Sequence, residues 1–195
     1  MAKVVQTSAG QAFLKAYAKV YSSKFNPAII GEKDPRILAL AAPTAAVEKQ
    51  VASAVQNTVA AETDLATAEA TKLAKTLAND RKCLKYIDPN SYRPPKCAAG
   101  VEIGTKKTVE GFTGEILDRP LKQELKDLCD SVPEKLREAW LPENCAEIKL
   151  INKAMYEGID LKKLKIVTVD TNKGIIVSPC KSCLYIMQKL GIPLP

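Results

Sequence analysis

The 195-residue chain contains no histidine. Histidine is the commonest metal ligand in proteins and the side chain that most often acts as a general base near neutral pH. Any metal site in this sequence must therefore be built from cysteine or carboxylate ligands, and any general base must come from another residue type.

Long apolar runs are also missing. A bilayer-spanning helix needs about 20 consecutive apolar residues, and charged residues interrupt every apolar run in this chain. Residues 1–30 do not have the pattern of a signal peptide, because their apolar positions are spaced as in a helix and are broken by Lys15 and Lys19. We therefore expect no membrane span and no signal peptide in this chain. The apolar fraction of 46% is ordinary and predicts a packed core.

Cysteine, in contrast, is present six times, and three of the six lie in two short motifs. The motifs are Cys145-Ala146-Glu147 and Pro179-Cys180-Lys181-Ser182-Cys183, with 34 residues between Cys145 and Cys180. Catalytic zinc takes three protein ligands and keeps a fourth position for water. Two cysteines three residues apart at a helix start can face one ion, and the helix dipole there favours thiolates. The sequence thus predicts Zn²⁺ bound by Cys145, Cys180 and Cys183.

Glu147 follows the first predicted ligand by two residues, close to the metal without being needed as a ligand. The order C-x-E…P-C-x-x-C is the signature of zinc-dependent nucleobase deaminases, in the form where cysteine replaces histidine as first ligand. In such sites zinc lowers the pKa of a bound water, and the glutamate moves protons to the ring nitrogen and to the leaving amine. We predict this general acid/base role for Glu147.

A non-catalytic site is the alternative interpretation of these cysteines. A single C-x-x-C can be a redox pair, half of a zinc ribbon or two buried thiols. A structural zinc site normally has a fourth cysteine or histidine, and the remaining cysteines, Cys83, Cys97 and Cys129, form no second C-x-x-C. Three thiolates beside an acidic residue therefore favour catalysis over a structural or decayed site.

The pattern around the motifs predicts an α/β domain. Asn144 is a candidate cap for a helix that starts at the first motif, and the segment that begins at Cys180 forms an apolar helix stopped by Gly191. Between them, two β-rich runs flank a turn. The predicted elements upstream and between the motifs are a hairpin in Val101–Ile116, a helix in Pro120–Val132, strands in Leu164–Asp170 and Gly174–Ser178, and a turn at Thr171–Gly174.

Taken together, residues 100–195 resemble the cytidine-deaminase-like superfamily, and most of all the YwqJ-like deaminase domains at the C-termini of bacterial polymorphic toxins. The resemblance implies a three-layer α/β/α sheet domain and a hydrolase that acts on the C–N bond of a cyclic amidine, converting cytosine to uracil in nucleic acid. It also implies a toxin exported as part of a larger protein, acting in the cytoplasm of the target cell and restrained by a cognate immunity protein.

Candidate substrate contacts follow from the same resemblance. Phe112-Thr113-Gly114 is similar to the strand-end loop that faces the substrate in that group, which makes Thr113 and Gly114 candidates. Ala146, Ser178 and Pro179 adjoin the metal ligands and complete the set. Members of the superfamily usually continue beyond the second motif, whereas this chain ends 12 residues after Cys183. We therefore expect Gly191–Pro195 to begin an edge strand, and the alternative is that upstream segments complete the sheet.

The N-terminal half is a different kind of sequence. We predict a mostly helical region over residues 1–95, with one long alanine-rich helix over about residues 44–87, followed by the deaminase domain over residues 96–195. The favoured interpretation is that this helix packs on the rest of the protein. The alternative is a segment for delivery or oligomerisation.

Charge and the remaining candidates bear on the substrate. Residues 1–100 carry +6 of the net charge of +7. A basic cluster interleaved with tyrosines can bind phosphates and stack on bases, which favours DNA or RNA over a free nucleoside, although a solubilising face explains it equally well. Cys83 and Cys97 can form a disulfide or stay reduced. Trp140 is predicted to lie in the core, and the alternative is that it stacks on a base. The basic residues and tyrosines in question are Arg81, Lys82, Lys85, Tyr86, Tyr92, Arg93 and Lys96, with a second group at Lys162, Lys163 and Lys165.

Two other functions stay open at this point. One is deamination of free cytidine or of another nucleobase. The other is a catalytically inactive, zinc-stabilised binding module, against which the presence of Glu147 argues. Replacing Glu147 by alanine separates an enzyme from a module, since only an enzyme loses activity while it keeps its metal.

Overall fold

The computed structural model describes residues 45–80 and 95–195. This part of the chain contains four α-helices and one four-stranded sheet, so the predicted α/β class is confirmed. In chain order the elements are α1 (Ala45–Asn79), β1 (Lys96–Glu102), β2 (Thr108–Phe112), α2 (Gln123–Asp130), α3 (Ala146–Tyr156), β3 (Leu164–Asp170), β4 (Ile175–Val177) and α4 (Lys181–Lys189).

The chain divides into two compact units, with the boundary between Glu62 and Thr63. The second unit, Thr63–Pro195, contains the last part of α1, the sheet and the three shorter helices. The predicted division into residues 1–95 and 96–195 stays a prediction.

The sheet has the strand order β2-β1-β3-β4, and every neighbouring pair is antiparallel. β1 and β2 form the predicted hairpin, although β1 already begins at Lys96. β1 then pairs along its whole length with β3, from Lys96 opposite Asp170 to Glu102 opposite Leu164. Because side chains alternate between the faces of a strand, this register decides which residues of β1 and β3 meet α3 and which meet α1.

One face of the sheet carries α2, α3 and α4. Its core consists mainly of Leu, Ile and Val side chains from the strands and from all three helices. The closest approach is at Gly111 of β2, where a Cβ atom would lie 2.3 Å from the backbone oxygen of Ala146 and 2.6 Å from the backbone nitrogen of Leu150. Only glycine fits this contact, so the absence of a side chain at position 111 lets α3 lie directly against β2.

The opposite face is covered by residues of α1 that belong to the second unit. Ala66, Ala70 and Ala74 are buried there with Leu77, against strand residues that include Val167 and Val169. The small side chains at i, i+4 and i+8 form a flat stripe along the helix. Helices therefore lie on both faces of the sheet.

Two expectations about element ends need correction. The helix cap before α3 is Cys145 itself and not Asn144. Gly191–Pro195 forms no strand. Gly191 has a φ of 69° and follows the end of α4, where a left-handed residue terminates the helix. Pro193 and Pro195 have no N–H to donate to a sheet.

The remaining predicted elements are found close to their expected positions. The helix expected in Pro120–Val132 is α2, and the two β-rich runs are β3 and β4. The long helix ends at Asn79, and residues 81–87 of its predicted range lie outside the described part of the chain. Among the described helices none is long and apolar enough to cross a membrane.

Candidate metal centre and active site

Three cysteine sulfurs converge where α3 and α4 begin. The Sγ atoms of Cys145, Cys180 and Cys183 all lie within 4.8 Å of one another, and those of Cys145 and Cys180 are 3.9 Å apart. Two sulfurs bound to one tetrahedral zinc at about 2.3 Å lie about 3.8 Å apart. The three thiol groups therefore fit a single ion of this size and preference, and the predicted ligands share one site.

The convergence follows from how the two helices start. Cys145 is the cap residue of α3, Cys180 is the cap residue of α4, and Cys183 lies in the first turn of α4. The Cys145 side chain makes no capping hydrogen bond to α3, whereas a hydrogen bond from the Cys183 backbone helps to lower the pKa of Cys180. The free N–H groups and the positive dipole end of each helix favour negative charge at this point, so two helix starts support the thiolates of one cluster.

Hydrogen bonds among the three cysteines shift their pKa values in different directions. The pKa of Cys180 is lowered, first by its hydrogen bonds with the side chains of Cys145 and Cys183. The pKa of Cys145 is raised, first by its hydrogen bond to Cys180. The pKa of Cys183 is raised, first by its hydrogen bonds to Cys145 and Cys180 and then by burial. Cys180 therefore loses its proton more readily than Cys145 and Cys183 do, and binding of a metal by all three sulfurs releases the protons that remain.

The carboxylate of Glu147 lies beside this cluster, on the first turn of α3. It is 2% exposed. Its Oε1 atom accepts a hydrogen bond of 3.0 Å from the Oγ1 of Thr168, and its Oε2 atom lies 3.8 Å from the Cys183 sulfur. Burial raises the pKa of Glu147, against the opposing effect of its backbone and Thr168 hydrogen bonds. A carboxyl group with a raised pKa can hold and return a proton nearer to neutral pH.

A cleft opens onto the cysteines and the glutamate. The empty space in it, including the open solvent at its mouth, is about 340 Å³. Four residues beyond the two motifs contribute to its wall. The lining residues are Lys96, Thr113, Trp140, Asn144, Cys145, Ala146, Glu147 and Cys180.

Two of the five predicted substrate contacts, Thr113 and Ala146, line this cleft. Gly114 is not among the residues that line the cleft, but its N–H donates to the backbone oxygen of Asn144, which does line it, at 3.1 Å. Ser178 is exposed and Pro179 is buried, and neither is among the described residues that line the cleft. A role in substrate binding stays a prediction for all five.

An ion pair between Lys153 and Glu115 stabilises the loop that carries Thr113. The Nζ of Lys153 on α3 lies 2.6 Å from Oε1 of Glu115, while Oε2 of Glu115 accepts a hydrogen bond from the N–H of Phe112 at 3.3 Å. The Glu115 side chain is only 9% exposed. A partly buried pair of this kind holds the strand end more firmly than an exposed one would.

Three residues that the sequence did not connect with the motifs belong to the site. Thr168 faces Glu147 because it alternates with the α1-facing residues of β3. The indole Nε1 of Trp140 lies 3.2 Å from the Cys145 sulfur, so the core role predicted for this residue is incomplete. Lys96 brings a positive charge to the cleft wall. Of these three residues, only Trp140 could have been connected with the site from the sequence, because it lies five residues before Cys145.

Most of the predicted basic cluster falls on residues that the structure does not describe. Arg81, Lys82, Lys85 and Arg93 lie there together with both tyrosines and with Cys83, so the nucleic-acid surface and the Cys83–Cys97 disulfide stay predictions. In the second basic group, Lys162 and Lys163 are exposed, and Lys163 pairs with Asp160 at 3.5 Å.

Comparisons with known proteins add no family. No protein-family model matches the chain, and searches of curated proteins and of solved structures give no significant match.

Proposed function

We propose that this protein is a zinc-dependent hydrolytic deaminase that converts cytosine to uracil in nucleic acid. The proposal rests mainly on how the three cysteines, Glu147 and the cleft are arranged relative to one another. Three cysteine sulfurs lie within 4.8 Å of one another at two helix starts, and a buried carboxylate lies 3.8 Å from one of them beneath an open cleft. A structural metal site needs neither the open cleft nor the acid, whereas a hydrolytic site needs both.

In the proposed reaction, water adds to C4 of the base and the C4–N4 bond breaks. One water and one cytosine give one uracil and one ammonia. Zinc, when bound by the three thiolates, would supply the Lewis acid that makes water a nucleophile at neutral pH. Glu147 takes one proton from the attacking water on a carboxylate oxygen and passes it to ring nitrogen N3. It then takes the second proton from the hydroxyl group now on C4 and gives it to the amine, so that the C4 carbonyl forms as ammonia leaves.

The surroundings of Glu147 suit such a shuttle. Thr168 donates to Oε1 at 3.0 Å, which fixes the plane of the carboxylate and leaves Oε2 on the side of the cysteines. Burial raises the pKa of Glu147, and Lys96 on the cleft wall limits that rise by its positive charge. These two opposing effects on the pKa suit a group that takes up a proton and gives it back within one reaction cycle.

Charge supports a polyanionic substrate. The chain carries a net charge of +7 with a pI near 9.0, and Lys96 places one cation directly at the cleft. A basic protein attracts nucleic acid over long distances and concentrates it near the surface. A toxin role, export within a larger protein and restraint by an immunity protein belong to the same proposal and are supported only by the resemblance of the two motifs to polymorphic-toxin deaminases.

The test is expression of the wild type and of Glu147→Ala in bacteria that lack uracil repair, followed by sequencing of DNA and RNA. We expect C-to-T changes in one of the two pools with the wild type and none above background with the variant. Purified Glu147→Ala should still bind one equivalent of zinc. Glu157→Gln, at the exposed C-terminal end of α3, is the matched control and should behave as the wild type.

The other outcomes separate the remaining functions. A folded, zinc-loaded wild type that changes neither pool contradicts a nucleic-acid substrate, and ammonia release from free cytidine then identifies a nucleoside deaminase. If no base or nucleoside is deaminated, the site is a zinc-stabilised binding module. Loss of zinc from Glu147→Ala would contradict the acid/base role given to this residue.

A further inference from the structure

Cys145 stands apart from the other two cysteines of the cluster. Cys180 and Cys183 share one helix start, so the geometry of α4 fixes their spacing. Cys145 comes from a separate segment, the short 3₁₀ turn Pro142–Asn144 that leads into α3. Its side chain makes no capping bond, so the direction of its sulfur depends on contacts outside its own helix.

One such contact is the indole of Trp140. The Nε1 atom lies 3.2 Å from the Cys145 sulfur, which is a short distance for an N–H···S hydrogen bond. Indole N–H is a donor only, and a partly buried tryptophan normally directs it to an acceptor. Here the acceptor is a metal-ligand candidate and not a backbone oxygen.

We propose that Trp140 is a positioning residue for the metal centre, which orients the Cys145 sulfur and stabilises its negative charge through the indole N–H. Hydrogen bonds from neighbouring groups to metal ligands fix ligand orientation and tune the ligand's donation to the metal, and their removal typically weakens metal binding by about 10- to 100-fold. The inference rests on the zinc site of the proposed function but not on the identity of the substrate.

Two replacements separate the N–H from the bulk of the ring. Trp140→Phe removes the donor and part of the ring. Replacement of Trp140 by benzothienylalanine keeps the bicyclic shape and substitutes sulfur for the N–H. Leu141→Ala changes the adjacent residue in the same segment, whose side chain is 65% exposed, and serves as the control. Thermal unfolding of the metal-free proteins establishes that each variant is folded.

The measurements are the zinc dissociation constant, by competition with a chelator, and the thiolate-to-metal charge-transfer absorption of the cobalt(II) form. We expect both Trp140 replacements to weaken zinc binding by about 10-fold or more and to shift the cobalt absorption, while Leu141→Ala changes neither. Because Trp140 is the only tryptophan in the chain, zinc should also alter the fluorescence of the wild type.

Unchanged zinc affinity and an unchanged cobalt spectrum in the benzothienylalanine protein would overturn the inference, even if Trp140→Phe were unstable. Those results would leave the proposed deaminase function intact, because the wild type would still bind metal. Failure of the wild type itself to bind zinc or cobalt would overturn both. Weakened binding in both replacements, with Leu141→Ala as the wild type, supports the inference whatever the substrate proves to be.

Discussion

The described cysteines fall into two groups that differ in surroundings more than in burial. Cys97 and Cys129 are as buried as Cys145 and Cys183. However, Cys97 lies in the core beside α1, Cys129 lies in the core on the other face of the sheet, and neither belongs to the group of converging sulfurs. The sulfurs of the other group converge at helix starts, and two of these residues, Cys145 and Cys180, line a cleft. Burial alone thus does not mark a reactive cysteine here, whereas convergence, dipole and access together do.

Replacing one cysteine from each group tests most directly whether only the converging cysteines bind metal. Cys183→Ser should weaken zinc binding by about a thousandfold, because a protein zinc site is worth about 10–16 kcal/mol in all and one ligand of three carries several of these. Cys129→Ser should bind zinc as the wild type does. Metal content after gel filtration, with chelator competition, measures both. Equal zinc loss in the two variants would mean that the cluster is not the site.

A smaller effect is expected at the residue that supports the acid. Thr168→Val keeps the volume but removes the donor to Oε1 of Glu147. Losing one hydrogen bond to a charged or polar buried group costs about 1.5 kcal/mol, so kcat should fall about tenfold. Zinc affinity should be unchanged.

The matched control for Thr168→Val is Thr108→Val, since Thr108 is exposed at the start of β2. A Thr168→Val protein that loses zinc, or that retains full turnover, would contradict the positioning of Glu147 described above.

The smallest effect concerns the isolated thiol of Cys129. Burial raises its pKa from an ordinary value near 9 to about 12. Between these values the unfolded chain loses the proton and the folded protein keeps it, so this group makes stability fall as pH rises through the window. Cys129→Ala should therefore show a shallower loss of stability between pH 9 and 11 than the wild type, and a difference of about 1 kcal/mol or less at pH 7. Urea unfolding at a series of pH values measures the slope, and parallel slopes would show that the thiol is not shielded.

The sequence predicted most of the helices and strands and the three cysteines of the cluster. Periodicity located α2, α3, β3 and β4, and the C-x-E and P-C-x-x-C motifs selected three cysteines that do converge. Local patterns succeed here because a helix start and a three-residue spacing are local properties.

What the sequence did not show depends on register and on contacts between distant segments. Thr168 meets Glu147 because Thr168, like its β1 partner Ala98, lies on the face of the sheet that packs against α3. The packing of α1 residues such as Ala70 on the sheet joins parts of the chain that lie on either side of the undescribed segment 81–94. The predicted strand at Gly191–Pro195 was wrong because the helix-terminating glycine and the two prolines outweigh the apolar residues between them.

The glycine at position 111 has a consequence for how genetic data on this protein should be interpreted. A screen that scores every substitution by loss of function finds positions that matter without giving the cause. Gly111 has no side chain that could bind a metal or transfer a proton, but any side chain there would collide with the backbone of the helix that carries Glu147. Substitutions of Gly111 would therefore reduce function as strongly as substitutions of a metal ligand. Only the structure distinguishes a residue that lets the helix pack from a residue that takes part in the chemistry.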